Sequence, residues 1–162
     1  MQVNHENQPR VKIRKVWYPG SESILKGIAL CYNHAYVTTN PGETATDDWA
    51  RRDKTVAPAS ESLAGNFAGV ALESYPGRTG GQWIFIAEPG STCYALAGAS
   101  VSTTVGVTWL VFSYTYGVLV APSETREKGR GAALALQTTT GDARTCTWCW
   151  SLEDGPDSGL KA

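Results

Sequence analysis

The sequence predicts an all-β protein: a small single-domain β-barrel or β-sandwich with an extended N-terminal arm. Three observations carry this. Between Phe67 and Leu96, short apolar runs are separated by Pro-Gly and Gly-Gly breaks, with no interval long enough for a helix. Further along the chain, apolar segments recur with Gly, Pro and Ser in each gap, a spacing that suits a barrel or sandwich better than a parallel sheet with crossover helices. Finally, 162 residues of which 42% are hydrophobic are enough to bury one core without a metal or a disulfide staple.

Taken in order, residues 1–10 are polar and include Pro9, so they are expected to stay disordered until something holds them. Residues 11–18, VKIRKVWY, alternate apolar and basic through Arg14 and then slip at Lys15, which predicts a strand with a bulge or bend. Residues 1–20 are therefore read as an arm, extended or disordered when unbound, ahead of a β-rich domain over 21–162. Ile28–Tyr32 is a short buried strand, ended by the turn residues Asn40, Pro41 and Gly42. From 43 to 65 charged and small residues dominate, and the segment reads as a long surface loop carrying Trp49. Strands are then expected at about 67–75, 82–88, 92–97, 107–113 and 117–121. The run AALALQT at 132–138 fits helix or strand by propensity and is assigned to strand because its neighbours are strands. A last strand spans 145–152, before the acidic turn EDGPDSG.

Charge and composition exclude several function classes. With 14 basic and 15 acidic side chains the net charge is -1, which gives no general attraction to nucleic acid or to an anionic membrane. The first 26 residues are an exception, with Arg10, Lys12, Arg14, Lys15 and Lys26 against Glu6 and Glu22. No apolar run is long enough to span a bilayer, and MQVNHENQPR has no signal-peptide core, so a soluble protein made in a cytosol is expected. The four cysteines, Cys31, Cys93, Cys146 and Cys149, are expected mainly as buried thiols, with two disulfides as the alternative. Cys146 and Cys149 form a C-x-x-C pair, but strand alternation points their sulfurs apart, and no second ligand pair completes a zinc site.

Catalytic signals are sparse. The two histidines, His5 and His34, have no sequence-local nucleophile or orienting carboxylate. GRTGG at 77–81 reads as a hairpin turn, since neither a lysine nor a helix follows as a phosphate loop requires. The pairs Asp47 with Asp48 and Glu153 with Asp154 are adjacent residues that do not face one cleft, as glycosidase chemistry would need. No enzymatic activity, cofactor or metal is expected. Aromatic residues are the other resource. Trp83, Trp109, Trp148 and Trp150 fall in predicted strands and read as core or subunit packing, whereas Trp17, Tyr18 and Trp49 read as contact residues.

The pieces AGVA (68–71), GGQWIFI (80–86), PGS (89–91), GRGAALALQT (129–138) and LEDGPDSGL (152–160), in this order, resemble the small head decoration, or cement, proteins of tailed bacteriophages. The resemblance covers roughly residues 27–160. It implies a β-tulip-like cap, commonly a homotrimer, seated on the outside of an icosahedral shell where major capsid protein subunits meet, assembled in the host cytoplasm and carried on the virion. Within that frame the arm is expected to add a strand to the edge of a capsid subunit. Val11, Ile13, Trp17 and Tyr18 would be its anchors, and Arg10, Lys12, Arg14 and Lys15 would face an acidic capsid surface. The longer N-terminal region and the 43–65 loop depart from the simplest such modules and offer Trp49 as a second contact. The competing expectation is a carbohydrate-binding or adhesin sandwich, whose signature would be a flat row of solvent-facing aromatics.

Overall fold

The computed structural model describes residues 11–35, 54–59, 63, 66–98, 101–104, 109–112, 117–120, 133–136, 138 and 146–151, with Trp109, Phe112 and 146–151 as backbone course. The described residues contain ten strands and no α-helix: β1 Ile13–Tyr18, β2 Ala29–Tyr32, β3 Val56–Pro58, β4 Phe67–Ala71, β5 Gln82–Ala87, β6 Thr92–Leu96, β7 Trp109–Phe112, β8 Leu119–Val120, β9 Ala133–Ala135 and β10 Cys146–Ser151. They form two antiparallel five-stranded sheets, ordered β1-β5-β4-β2-β3 and β6-β10-β9-β7-β8. The all-β expectation holds, as does the strand assignment in the 132–138 run.

Both sheets curl until their edges meet. In the first, the Trp17 amide donates to the Lys54 carbonyl at 2.8 Å and Trp17 makes a parallel bridge to Thr55, bringing the entry to β3 alongside β1. In the second, Gly98 N–H donates to Leu119 O at 2.8 Å beside the Ala97 to Leu119 bridge. Strand twist accounts for such closure, which removes exposed ladder edges.

Each curled sheet has its own core. Val16, Tyr18, Ile24, Leu30, Val56, Ala68, Ala71, Ile84 and Ile86 fill the first. A second cluster joins the outer face of the first sheet, at Ala29, Cys31, Val70 and Ala87, to Cys93, Ala95, Ala97, Leu110, Leu119, Ala133 and Ala135. Alanine predominates there because two backbones can approach closely only where side chains are short. Cys31 and Cys93 are buried in this cluster as thiols. Cys149 lies in register with Cys93, and Cys146 with Leu96.

A bulge lets β4 serve both cores. Leu30 pairs with Gly69 and Cys31 with Phe67, so Ala68 is the extra residue. Ala68 and Ala71 then enter the first core while Val70 enters the second. Gly69 is required at this point: its φ is 148°, and a Cβ there would strike the Ala87 carbonyl.

Three sequence expectations need correction. First, Ile13–Tyr18 is not part of a free arm but a strand of the chain's own sheet, paired with β5 at all six positions. Second, no bulge interrupts it at Lys15. Val16 and Tyr18 point into the core and Ile13, Lys15 and Trp17 point out, so the alternation is regular and the apparent slip arises because Ile13 and Trp17 are apolar residues on the outer face. Third, the 43–65 excursion is not wholly loop, because it contains β3, whose Val56 is fully buried. Residues 1–10 and Trp49 lie outside the described residues.

Two tyrosines couple this core to pH. Burial raises the Tyr18 hydroxyl above its ordinary value near 10, and Glu22 adds to this. Tyr75 is likewise raised by burial and by Glu73, against the opposing effect of its hydrogen bond to the Phe85 backbone. Above about pH 10 the unfolded chain therefore releases these protons before the folded one, and stability falls as pH rises. Urea midpoints should be level up to about pH 9 and drop towards pH 11, with a smaller drop in Tyr18→Phe. A midpoint unchanged across that range would contradict the burial argument.

Candidate functional site

The outer face of β1 and β5 is built by alternation. Antiparallel pairing sets Ile13 opposite Ala87, Lys15 opposite Phe85 and Trp17 opposite Trp83. Ile84 and Ile86 take the inner face, leaving Trp83 and Phe85 outside. On this outer face Ala87 is covered by the second sheet. Beyond it the cover stops, and Ile13, Trp83 and Phe85 are 61%, 43% and 45% exposed. Large apolar side chains clustered on one exposed face of a sheet mark a contact surface more often than scattered single ones do.

The aromatic residues are held in place from below. Trp17 and Trp83 meet edge to face, with centroids 5.3 Å apart and planes at 66°. Gly81, at φ 78°, leaves room for the Trp17 indole; a Cβ there would lie 2.7 Å from Trp17 Cζ2 and 2.8 Å from the Tyr18 carbonyl. Trp17 Nε1 is buried and has no hydrogen-bond partner among the described residues. Such an orphan donor is costly, and here it accompanies the packing that supports Trp83. Tyr75 pins β5 from its other side, its hydroxyl accepting a 2.8 Å hydrogen bond from the Phe85 amide. Lys15 Nζ sits 5.2 Å from the centre of the Trp83 ring.

The predicted contact residues thus divide. Ile13, Lys15 and Trp17 share the outer face, and Val11 is exposed just before β1. Tyr18 is buried in the first core and is no surface anchor. Arg14 turns to the opposite face, where it lies 3.6 Å from Glu88 and 5.3 Å from the Tyr32 ring centre. Tyr32 in turn stacks on the exposed His34 at 5.5 Å. Trp83 and Phe85 are surface residues that the sequence reading does not single out, since Trp83 reads there as packing. The signal was present in WIFI, where two isoleucines and two aromatics alternate and only one pair can face the core.

Among the described residues, no group of three or more His, Cys, Asp or Glu side chains comes together as a metal site would require. No protein-family model matches the chain, and no curated protein matches it at a significant level.

Proposed function

We propose that this chain is a decoration, or cement, protein that binds the outside of an icosahedral phage capsid and stabilises the shell. The order of glycine-marked segments that resemble such proteins motivates the reading, and the exposed aromatic face of β1 and β5 carries it. That face rests on a doubly cored, ring-closed β framework and presents apolar area of the kind that a protein partner covers. In this reading the partner is the major capsid protein, the assembly is a homotrimer on the virion surface, and the chain has no catalytic role. Docking works through side chains on a preformed sheet, since β5 occupies one edge of β1 and Lys54 meets the other at Trp17. Attachment by several copies at once multiplies modest contacts into firm retention, which is how a small cap resists outward pressure on a shell.

One observation favours a second reading. Exposed Trp83 and Phe85 also match part of the signature of a sugar-binding face. The 66° angle between Trp17 and Trp83 counts against a flat stacking platform. Co-sedimentation with capsid particles, alongside a polysaccharide pull-down, separates the two readings. Particle binding without polysaccharide binding is the expected result, and the reverse would favour the adhesin.

A further inference from the structure

Among the six positions that the β1/β5 register places on the outer face, Ile13, Lys15, Trp17, Trp83, Phe85 and Ala87, Lys15 alone is charged. Its ammonium lies over the Trp83 ring at 5.2 Å, in the middle of the exposed apolar area. An exposed cation–π contact is weak, while an ammonium pairs more strongly with a carboxylate once both are shielded from water. The face thus combines an apolar floor with a single central cation whose present partner is readily exchanged.

We propose that this face docks a protein surface of acidic and apolar character, on which a carboxylate replaces the Trp83 ring as the partner of Lys15 while apolar side chains cover Trp83, Phe85 and Ile13. The inference rests on the capsid reading for the identity of the partner, but its chemistry follows from the face. A second copy meeting through the same face would set Lys15 of each chain on a face with no acidic residue at any of the six register positions, so charge disfavours self-association there. A sugar would need hydrogen-bond acceptors as well as donors beside the rings, and the side chains at the six register positions supply donors alone, the Lys15 ammonium and the indole N–H groups of Trp17 and Trp83. Burying Lys15 under an uncharged surface would strand its charge, which selects a carboxylate-bearing partner.

Two arms test this, both using the full chain. The first uses 8-anilinonaphthalene-1-sulfonate as an anionic, apolar probe and its uncharged parent, N-phenyl-1-naphthylamine, as the comparator. The sulfonate should bind about fivefold or more tighter at low salt. That advantage should vanish in Lys15→Glu, and also near 1 M salt, where charges are screened beyond roughly 3 Å. Lys15→Gln should fall between wild type and Lys15→Glu, and Trp83→Ala should weaken both dyes. Equal affinity for the two dyes, or a sulfonate advantage that survives Lys15→Glu, overturns the proposal. The second arm measures binding to shells of the heavy particles in a lysate of the source, where Lys15→Glu should cost roughly tenfold. Shell binding indifferent to both salt and Lys15→Glu overturns the proposal and leaves the capsid reading standing. Absence of shell binding, with the dye results as expected, overturns the capsid reading and supports the face chemistry.

Discussion

Deleting residues 1–20 abolishes the cooperative unfolding transition of this chain. The deletion removes β1, including Val16 and Tyr18, which are 0% and 4% exposed. Full burial of a side chain of this size contributes about 1.5–3 kcal/mol, and its loss also uncovers Ile84, opposite Val16 in the register. With the backbone hydrogen bonds along β5 lost as well, the total is comparable to the roughly 5–15 kcal/mol that holds a typical domain together. Circular dichroism and urea unfolding would read the result. A deletion variant that unfolds as sharply as the full chain would show that β1 is a detachable arm after all. In that event, docking by strand addition would return as the mechanism.

The double variant Trp83→Ala and Phe85→Ala loses attachment to capsid particles by about a hundredfold or more while remaining folded. A central aromatic whose truncation costs about 1.4 kcal/mol weakens binding about tenfold, and two such losses multiply to roughly this factor. The effect on stability is small by comparison, since both side chains are more than two-fifths exposed and both core isoleucines of β5 are kept. Sedimentation with particles measures the first effect and a urea midpoint the second. Unchanged particle binding in a folded double variant would remove this face from the docking account.

Much of the fold was legible because glycine and proline punctuate many of the gaps between strands. The GRTGG turn is one such point: Gly81 N–H donates to the Arg78 carbonyl at 3.1 Å, and Gly80 and Gly81 both adopt positive φ. Two features were misread for one physical reason, which is that apolarity does not fix the side of a strand. Ile13 and Trp17 made β1 look slipped, and Trp83 looked like core, because each was judged by hydrophobicity alone. The partition followed from alternation against neighbours: Val16 and Tyr18 in β1, Ile84 and Ile86 in β5. β3 escaped notice because three residues in a polar stretch carry no periodic signal, and its pairing with β2 is a long-range contact that no local pattern encodes. The grouping of Ile13, Lys15 and Trp17 with Trp83 and Phe85 likewise depends on the β1/β5 register, which joins segments some 70 residues apart.

A role on the shell is tested by the copy number of this chain in heavy particles fractionated from a lysate of its source on a density gradient, relative to the dominant shell protein. Decoration predicts a ratio near one copy per shell subunit, retained through repeated sedimentation. A few copies per particle would point to a fibre or adhesin, and absence from particles would contradict a role on the shell.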